Sequence, residues 1–322
     1  MGGLSDKLDN SLSINFNGKP YRGYEGQSIA SLLFSNGIKG LRNCKNGEER
    51  GVFCGMGVCF DCTVSINGIP GKRACLELAN DGIDVKSLNY KAPINTIPSK
   101  ILEQNFEPKK HFDIAIIGSG PAGLMAALSL SGKGLKIVII DERPSLGGQY
   151  FKQLSRSDNS VHSTTVDYQY RKGSELIKKI VNSDTKIKLN NTVIYAEKIS
   201  SDCINICSLH EESVEVISAR RLVVSTGAYE LAMPFPGWTS TSVITTGAAQ
   251  GFLRSYKLNA GKEIVIAGNG PLNFQLAAEL VDNGAKVKAV IEASSNPFPS
   301  KSIDLLKSFY YDPNLMIKGT SY

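Results

Sequence analysis

The sequence predicts an α/β chain preceded by a smaller α+β module. Three observations predict it. Residues 112–149 read as strand, glycine turn, helix, strand and acid in unbroken order, and residues 263–292 repeat that order. Ahead of both, residues 11–37 read as a hairpin followed by a short helix, with four closely spaced cysteines further along the same segment. A chain of 322 residues can bury a sizeable core and should hold two or three domains.

In the first module, Ser11 to Phe16 and Lys19 to Tyr24 are two strands joined at Asn17-Gly18, a dipeptide suited to a two-residue type I′ turn. Ser28 is placed to cap a short helix whose apolar stripe is Ile29, Leu32 and Leu33, and Gly37 offers its left-handed stop. Hairpin then helix suggests a β-grasp domain over residues 1–88. Cys54, Cys59 and Cys62 make C-x4-C-x2-C, and Cys75 follows a second Asn-Gly hairpin at Asn67-Gly68. That is the plant-type ferredoxin order for a 2Fe-2S cluster. Four thiolates must converge on two irons, and Gly55 and Gly57 let the loop's backbone come close because they carry no Cβ. A structural zinc site needs the same four thiolates and stays open as the alternative. Cys44, in a polar loop, reads as an incidental thiol.

Residues 89–110 contain three prolines and no clear periodicity, and form the expected linker. Residues 111–258 follow as the first part of a dinucleotide-binding domain. Ile114 to Ile117 is a buried parallel strand, and Gly118-Ser119-Gly120-Pro121-Ala122-Gly123 matches G-x-G-x-x-G. Gly118 permits the turn, Gly120 admits a pyrophosphate against bare backbone, and Gly123 lets helix pack on strand. The helix from Leu124 to Gly132 points its positive end at the phosphates. The strand Lys136 to Ile140 ends on Asp141-Glu142, about twenty residues past the glycines, where an acid accepts the ribose hydroxyls and repels a 2′-phosphate.

Tyr150 to Asp167 is a polar surface loop; His162 within it and His111 before the strand read as solvent-exposed. Arg171 to Val181 is an amphipathic helix, and Ile187 to Arg220 an antiparallel meander in which Cys203 and Cys207 share one strand face as structural thiols. Leu222 to Tyr229 reads as a buried strand running into a glycine turn.

Residues 259–322 repeat the dinucleotide pattern. Glu263 to Ala267 is a buried strand, Gly268-Asn269-Gly270-Pro271-Leu272-Asn273 the turn, Phe274 to Asn283 the helix, and Lys286 to Ile291 a strand ending on Glu292. Asn273 replaces the third glycine and should hold the helix away from the strand, weakening the site. Glu292 would favour NAD over NADP.

Lys and Arg exceed Asp and Glu by 36 to 30, a net charge of +6, with the lysines dispersed through turns and helix faces. This serves solubility and provides no basic block for nucleic acid or an anionic membrane. No apolar run reaches membrane-spanning length, and Met1 to Asn10 lacks the basic start and apolar stretch of a secretory signal. The chain is expected in the cytoplasm, where thiols stay reduced, so its seven cysteines need a reason other than disulfides.

The run from Arg50 to Cys62, with Arg73-Ala74-Cys75 after it, resembles the small 2Fe-2S subunit of hydrogen cyanide synthase and D-hydroxyproline dehydrogenase. It is similar also to the N-terminal domain of heterotetrameric sarcosine oxidase α subunits, many of which lack the cysteines. An acid followed by Gly147-Gly148-Gln149 resembles the FAD half of two-dinucleotide-domain flavoproteins, which implies FAD at the first site, with Gly148 and Gln149 in it. Ser225-Thr226-Gly227 resembles the A-T-G segment that closes over FAD in that superfamily, and Pro234-Phe235-Pro236-Gly237-Trp238 resembles the amine-oxidising group. The resemblance thus implies a fusion of cluster-bearing and FAD subunits. Such a protein would be an FAD- and 2Fe-2S-dependent electron-transferring component of a multi-subunit oxidase or dehydrogenase acting on a small amine such as sarcosine, glycine or hydroxyproline, with NAD admitted at the second site. In that family the chain returns to complete the FAD domain, and nothing after Pro313 supplies the return, so a fragment is expected, the alternative being a missing half that comes from another polypeptide. Two alternatives remain: an NAD(P)H-dependent flavin reductase that passes electrons out through the cluster, and a non-catalytic scaffold.

Overall fold

A computed structural model describes residues 11–89, 108, 110–155, 168–210 and 213–292. The chain divides into two compact units, one of residues 1–92 with 230–322 and the other of residues 93–229. Residues 230–258 therefore group with the N-terminal module.

The N-terminal module opens with β1 (Ser11–Phe16) and β2 (Lys19–Tyr24), paired antiparallel. Asn17 and Gly18 have φ of 51° and 80°, the two positive values a type I′ turn needs. α1 (Ile29–Ser35) starts where the Ser28 hydroxyl accepts from Ser31 N–H at 3.1 Å. Then come β3 (Arg42–Asn43), β4 (Glu49–Arg50), β5 (Thr63–Ile66), β6 (Ile69–Arg73) and β7 (Asp84–Asn89). The sheet order is β2-β1-β7-β3-β4, with β5 joining β7 and β6; β1 and β7 run parallel, which makes the mixed sheet of a β-grasp. Ile14, Leu32, Leu33, Val64 and Val85 fill its core.

The second unit begins with β8 (His111–Ile117), α2 (Pro121–Leu130), β9 (Ile137–Ile140), α3 (Tyr168–Val181) and β10 (Lys186–Lys188). β11 (Thr192–Ser200), β12 (Cys203–His210) and β13 (Ser213–Val224) complete it. The sheet order is β10-β9-β8-β13-β12-β11. β10, β9, β8 and β13 are parallel neighbours, while β11, β12 and β13 form the antiparallel meander. Two expectations need correction here. The meander starts at Thr192, since β10 adds to the parallel edge instead. The strand expected at Leu222 is the last part of β13, and it is not buried: Val224 is 66% exposed. His111 lies exposed at the start of β8, its Nδ1 against Ser218 Oγ. His162 lies outside the described residues.

The chain then re-enters the first unit through α4 (Thr246–Tyr256), followed by β14 (Glu263–Gly268), α5 (Pro271–Asp282) and β15 (Lys286–Glu292). α4 has two apolar faces. Phe252 enters the β-grasp core and stacks on Phe34 with ring centroids 4.8 Å apart, while Ala249 and Leu253 pack with Phe274, Leu276 and Leu280. Arg254 and Gln250 of α4 both reach Glu279 of α5, at 2.5 Å and 3.2 Å. The expectation of a buried strand at residues 263–267 is also corrected. β14 pairs only with β15 among the described residues and carries α5 on one face, so Val265 is 58% exposed.

Candidate functional site

Two chemical centres are built from the predicted residues. The first is a cavity of about 400 Å³ at the C-terminal ends of β8, β9 and β13. Gly118, Gly120, Pro121, Ala122, Asp141, Glu142, Gly148, Gln149, Thr226 and Gly227 all line it. Parallel strands leave such a crevice where their connections diverge. The glycines divide the labour as the spacing requires. A Cβ on Gly123 would overlap Gly118 O and stand 2.7 Å from Ser225 Oγ, so only glycine lets α2 lie this close to the strands. A Cβ on Gly148 would be 2.7 Å from Gly120 Cα, which fixes the Gly-Gly turn over the loop. A Cβ on Gly120 meets nothing within 4 Å: there the backbone faces open space beside the N-terminus of α2. Arg143 also lines the cavity, and its Nη2 is buried without a hydrogen-bond partner among the described residues. An open backbone cradle, a helix N-terminus and an unpartnered guanidinium nitrogen suit a dinucleotide's anionic centre.

The two acids separate. Asp141 is buried, and its carboxylate accepts from Ser119 N–H and Ser119 O–H, both at 2.6 Å, and from Arg143 N–H at 2.8 Å. It braces the glycine turn from inside. Glu142 is half-buried at the cavity wall. Consecutive residues leaving a strand point to opposite sides, so one acid faces the turn and the other the ligand space.

The second centre is the cysteine loop. Cys54 and Cys62 are buried, and Cys59 and Cys75 half-buried. The thiols stand as two hydrogen-bonded pairs, Cys54 with Cys59 and Cys62 with Cys75. Within the first, the hydrogen bond from Cys59 pulls Cys54 down to about 5 and raises Cys59. In the second, Cys62 is lowered and Cys75 raised by the same sharing of a proton. Two irons need four such thiolates, two to each; among the described residues these side chains stand in pairs, and no three converge into one metal-holding group. Backbone N–H groups of Met56 and Asp61 point at Cys54 Sγ and Cys59 Sγ, at 3.3 Å and 3.4 Å, and would favour the thiolate forms.

Sequence reasoning missed the side chains that hold this loop. Arg42 on β3 grips Asp61 through Nη2 to Oδ1 at 2.5 Å and Nε to the backbone oxygen at 3.1 Å. Arg73 donates to Gly57 O at 2.8 Å, and its guanidinium lies 5.3 Å from the Phe60 ring centroid. Phe60 has φ of 59°, a left-handed conformation that costs a non-glycine residue energy and needs such support. Arg73 lay inside the cysteine run but carried no signal of its own; Arg42 reaches the loop only through the sheet.

The second glycine turn differs. Asn273 is buried and accepts from Thr246 Oγ1 at 2.7 Å, tying α5 to α4. A Cβ on Gly268 would lie 3.0 Å from Asn273 Nδ2, so the amide covers the turn. Glu292 is 1% exposed and accepts from Gly270 N–H at 3.1 Å. It plays the bracing part that Asp141 plays in the first turn, and Ala293 follows it where the first turn has Glu142. Among the other thiols, Cys203 Sγ contacts Asn205 Oδ1 at 3.8 Å, and burial raises the Cys207 thiol, which makes it a poorer nucleophile.

Fold and site together define a dinucleotide-binding oxidoreductase joined to an iron–sulfur module. Residues 112–306 match the pyridine nucleotide-disulphide oxidoreductase family and residues 9–90 a 2Fe-2S iron-sulfur cluster binding domain. The chain belongs to the pyridine nucleotide-disulphide oxidoreductase family, and its cofactors are FAD and a 2Fe-2S cluster, which sets aside zinc. It is 31% identical to an opine oxidase subunit of Agrobacterium tumefaciens over 65% of this chain and 42% of that one. It is 30% identical to hydrogen cyanide synthase subunit HcnB of Pseudomonas protegens over 64% of this chain and 43% of the relative. The chain thus spans less than half the length of these curated relatives. The crystal structure of L-proline dehydrogenase from P. horikoshii superposes with a TM-score of 0.71 at 24% identity, covering 91% of this chain and 57% of the other, which is a likeness of fold.

Proposed function

We propose that the chain is the electron-transferring component of a multi-subunit dehydrogenase or oxidase acting on a secondary amine or amino acid of the sarcosine, glycine or hydroxyproline type. The observation that carries this reading is the presence, on one polypeptide, of a glycine-turn cavity with a second acid at its wall and two thiol pairs in a ferredoxin-like module. When bound, FAD handles electron pairs and the 2Fe-2S cluster single electrons. Gly118, Gly120, Pro121, Ala122 and Gly123 would receive the diphosphate at the start of α2, with Arg143 Nη2 as a further donor. Glu142 would accept the ribose hydroxyls while Asp141 keeps the turn in shape. Gly148, Gln149, Thr226 and Gly227 would close the cavity. Cys54, Cys59, Cys62 and Cys75 would hold the cluster, with Arg42 and Arg73 fixing the loop between them. No acid or base for amine oxidation is assigned, and a separate polypeptide would supply it.

The competing nicotinamide reductase is less well supported. In the first turn one acid braces and a second remains for the ribose; in the second turn Glu292 braces and no acid follows. Gly268, Gly270 and Glu292 would then serve mainly to shape the fold. No helix among the described residues is long and apolar enough to cross a membrane; a cytoplasmic setting belongs to the same proposal.

One experiment separates the readings. The protein is isolated with its bound partners under anaerobic conditions and mixed in turn with sarcosine, glycine, L-proline, hydroxyproline and NADH, while flavin absorbance is followed. Bleaching by one of the amines and not by NADH is expected. Bleaching by NADH alone would overturn the proposal in favour of the reductase.

A further inference from the structure

The loop bearing Cys54 is packed against the first turn of α4, and that turn holds a carboxylate. Thr245 N–H donates to Phe53 O at 2.9 Å, and the Thr245 hydroxyl to Cys54 O at 3.5 Å. The backbones touch there: a Cβ on Gly55 would be 3.0 Å from both Cα and Cβ of Ala248. Met56, 3% exposed, fills the same seam, with its Cε 3.8 Å from where a Gly247 Cβ would stand. Glu230 completes the arrangement. Its Oε2 accepts from Gly247 N–H at 2.7 Å and would be 2.6 Å from that Gly247 Cβ.

The first turn of a helix carries partial positive charge on its unpaired N–H groups. Facing a metal–thiolate loop, it would favour an added electron there. Glu230 opposes that in two ways. Its carboxylate occupies an N–H that would otherwise point outward, and its own negative charge raises the energy of an electron arriving nearby. Arg42 and Arg73, which also hold the loop, act in the opposite sense but are already engaged with Asp61, Gly57 O and the Phe60 ring.

We propose that Glu230 is a positioning residue for electron transfer: held on the first turn of α4, it keeps the reduction potential of the adjacent cluster lower than the helix alone would set it. This rests on the assignment of the cluster to Cys54, Cys59, Cys62 and Cys75, and the test distinguishes the two claims. The chain and two variants, Glu230→Gln and Gly247→Ala, are purified anaerobically, assayed for iron and acid-labile sulfide, and titrated with dithionite while the paramagnetic signal of the reduced cluster is recorded. Each cluster takes one electron from dithionite, which is oxidised.

Glutamine still offers an oxygen to Gly247 N–H, so it preserves the cap and removes only the charge. Gly247→Ala keeps the charge and displaces it, because the new Cβ collides with Oε2. Both variants should move the midpoint in the positive direction, favouring the reduced form about threefold or more, where a tenfold change corresponds to ~59 mV for one electron. Iron and sulfide should match the parent. An unmoved midpoint in Glu230→Gln overturns the proposal, and so does loss of iron from that variant, which would make Glu230 a folding residue. Absence of iron and sulfide from the parent chain would instead overturn the cluster assignment.

Discussion

Gly120 and Gly123 sit three residues apart in one turn, yet the structure assigns them different losses on substitution by alanine. At Gly123 the new methyl would overlap Gly118 O and stand 2.7 Å from Ser225 Oγ, where ordinary contacts are 3.4–4 Å. Ser225 Oγ can rotate away, but Gly118 O is backbone and cannot withdraw without moving the turn after β8 or the start of α2. Overpacking of this kind costs ~1–3 kcal/mol. At ~2–4 °C per kcal/mol for a domain of this size, the Tm of flavin-stripped Gly123→Ala should fall by several degrees. At Gly120 the new methyl meets no protein atom within 4 Å and φ is −71°, so the fold tolerates it. The expected loss of stability is at most ~1 kcal/mol, from placing alanine at a helix N-cap. The methyl does occupy the face where the diphosphate would lie, and flavin affinity should drop by about tenfold or more, ~1.4 kcal/mol. Thermal unfolding of flavin-stripped protein and flavin released after FAD reconstitution measure the two quantities. Gly120→Ala that retains full flavin affinity, or Gly123→Ala that loses neither stability nor flavin, would refute the division of roles.

Cys59→Ser should abolish the visible and paramagnetic signals of the cluster while FAD stays bound; unchanged iron content would count against Cys59 as a ligand. Asp141→Asn should lower stability by ~1–3 kcal/mol, because its amide must face the Ser119 and Arg143 N–H donors. Glu142→Gln should leave Tm unchanged and weaken FAD binding; equal effects in both variants would erase the distinction between brace and ligand. Glu215 provides a pH test. Its burial raises its pKa, but Lys188 and Lys110 outweigh that and hold its carboxyl below the usual range. The stabilisation is therefore present above the unfolded value of ~4.3 and is lost as pH falls through the folded value. Glu215→Gln should flatten the acid limb of stability against pH, and an unaltered limb would show the pairs contribute nothing.

Much of this architecture was legible because it is written locally. Asn17-Gly18 and Asn67-Gly68 specify their turns within two residues, and the first glycine turn, from Gly118 to Gly123, carries its own steric reason for each glycine. The cysteine spacing similarly announces its chemistry. Other features depend on partners distant in sequence. α4 escaped notice because Thr246 to Tyr256 is rich in small residues and buries two faces, one under the β-grasp and one against α5, so no single stripe marks it. Arg42 and Arg73 act through the sheet that brings them to the cysteine loop. The exposure of Val224 and Val265 depends on how many neighbours their strands have, which an apolar run does not state. The split between Asp141 and Glu142 was available from strand alternation, since the strand was already read as ending at Ile140, but which acid braces the turn depends on Ser119, 22 residues away.

The most direct measurement of the central claim is the cofactor content of the anaerobically purified chain: FAD by extraction, iron and acid-labile sulfide by chemical analysis. The expected result is FAD together with iron and sulfide in equal amounts, two of each for every flavin. A well-folded preparation with neither tightly held flavin nor labile sulfide would contradict it.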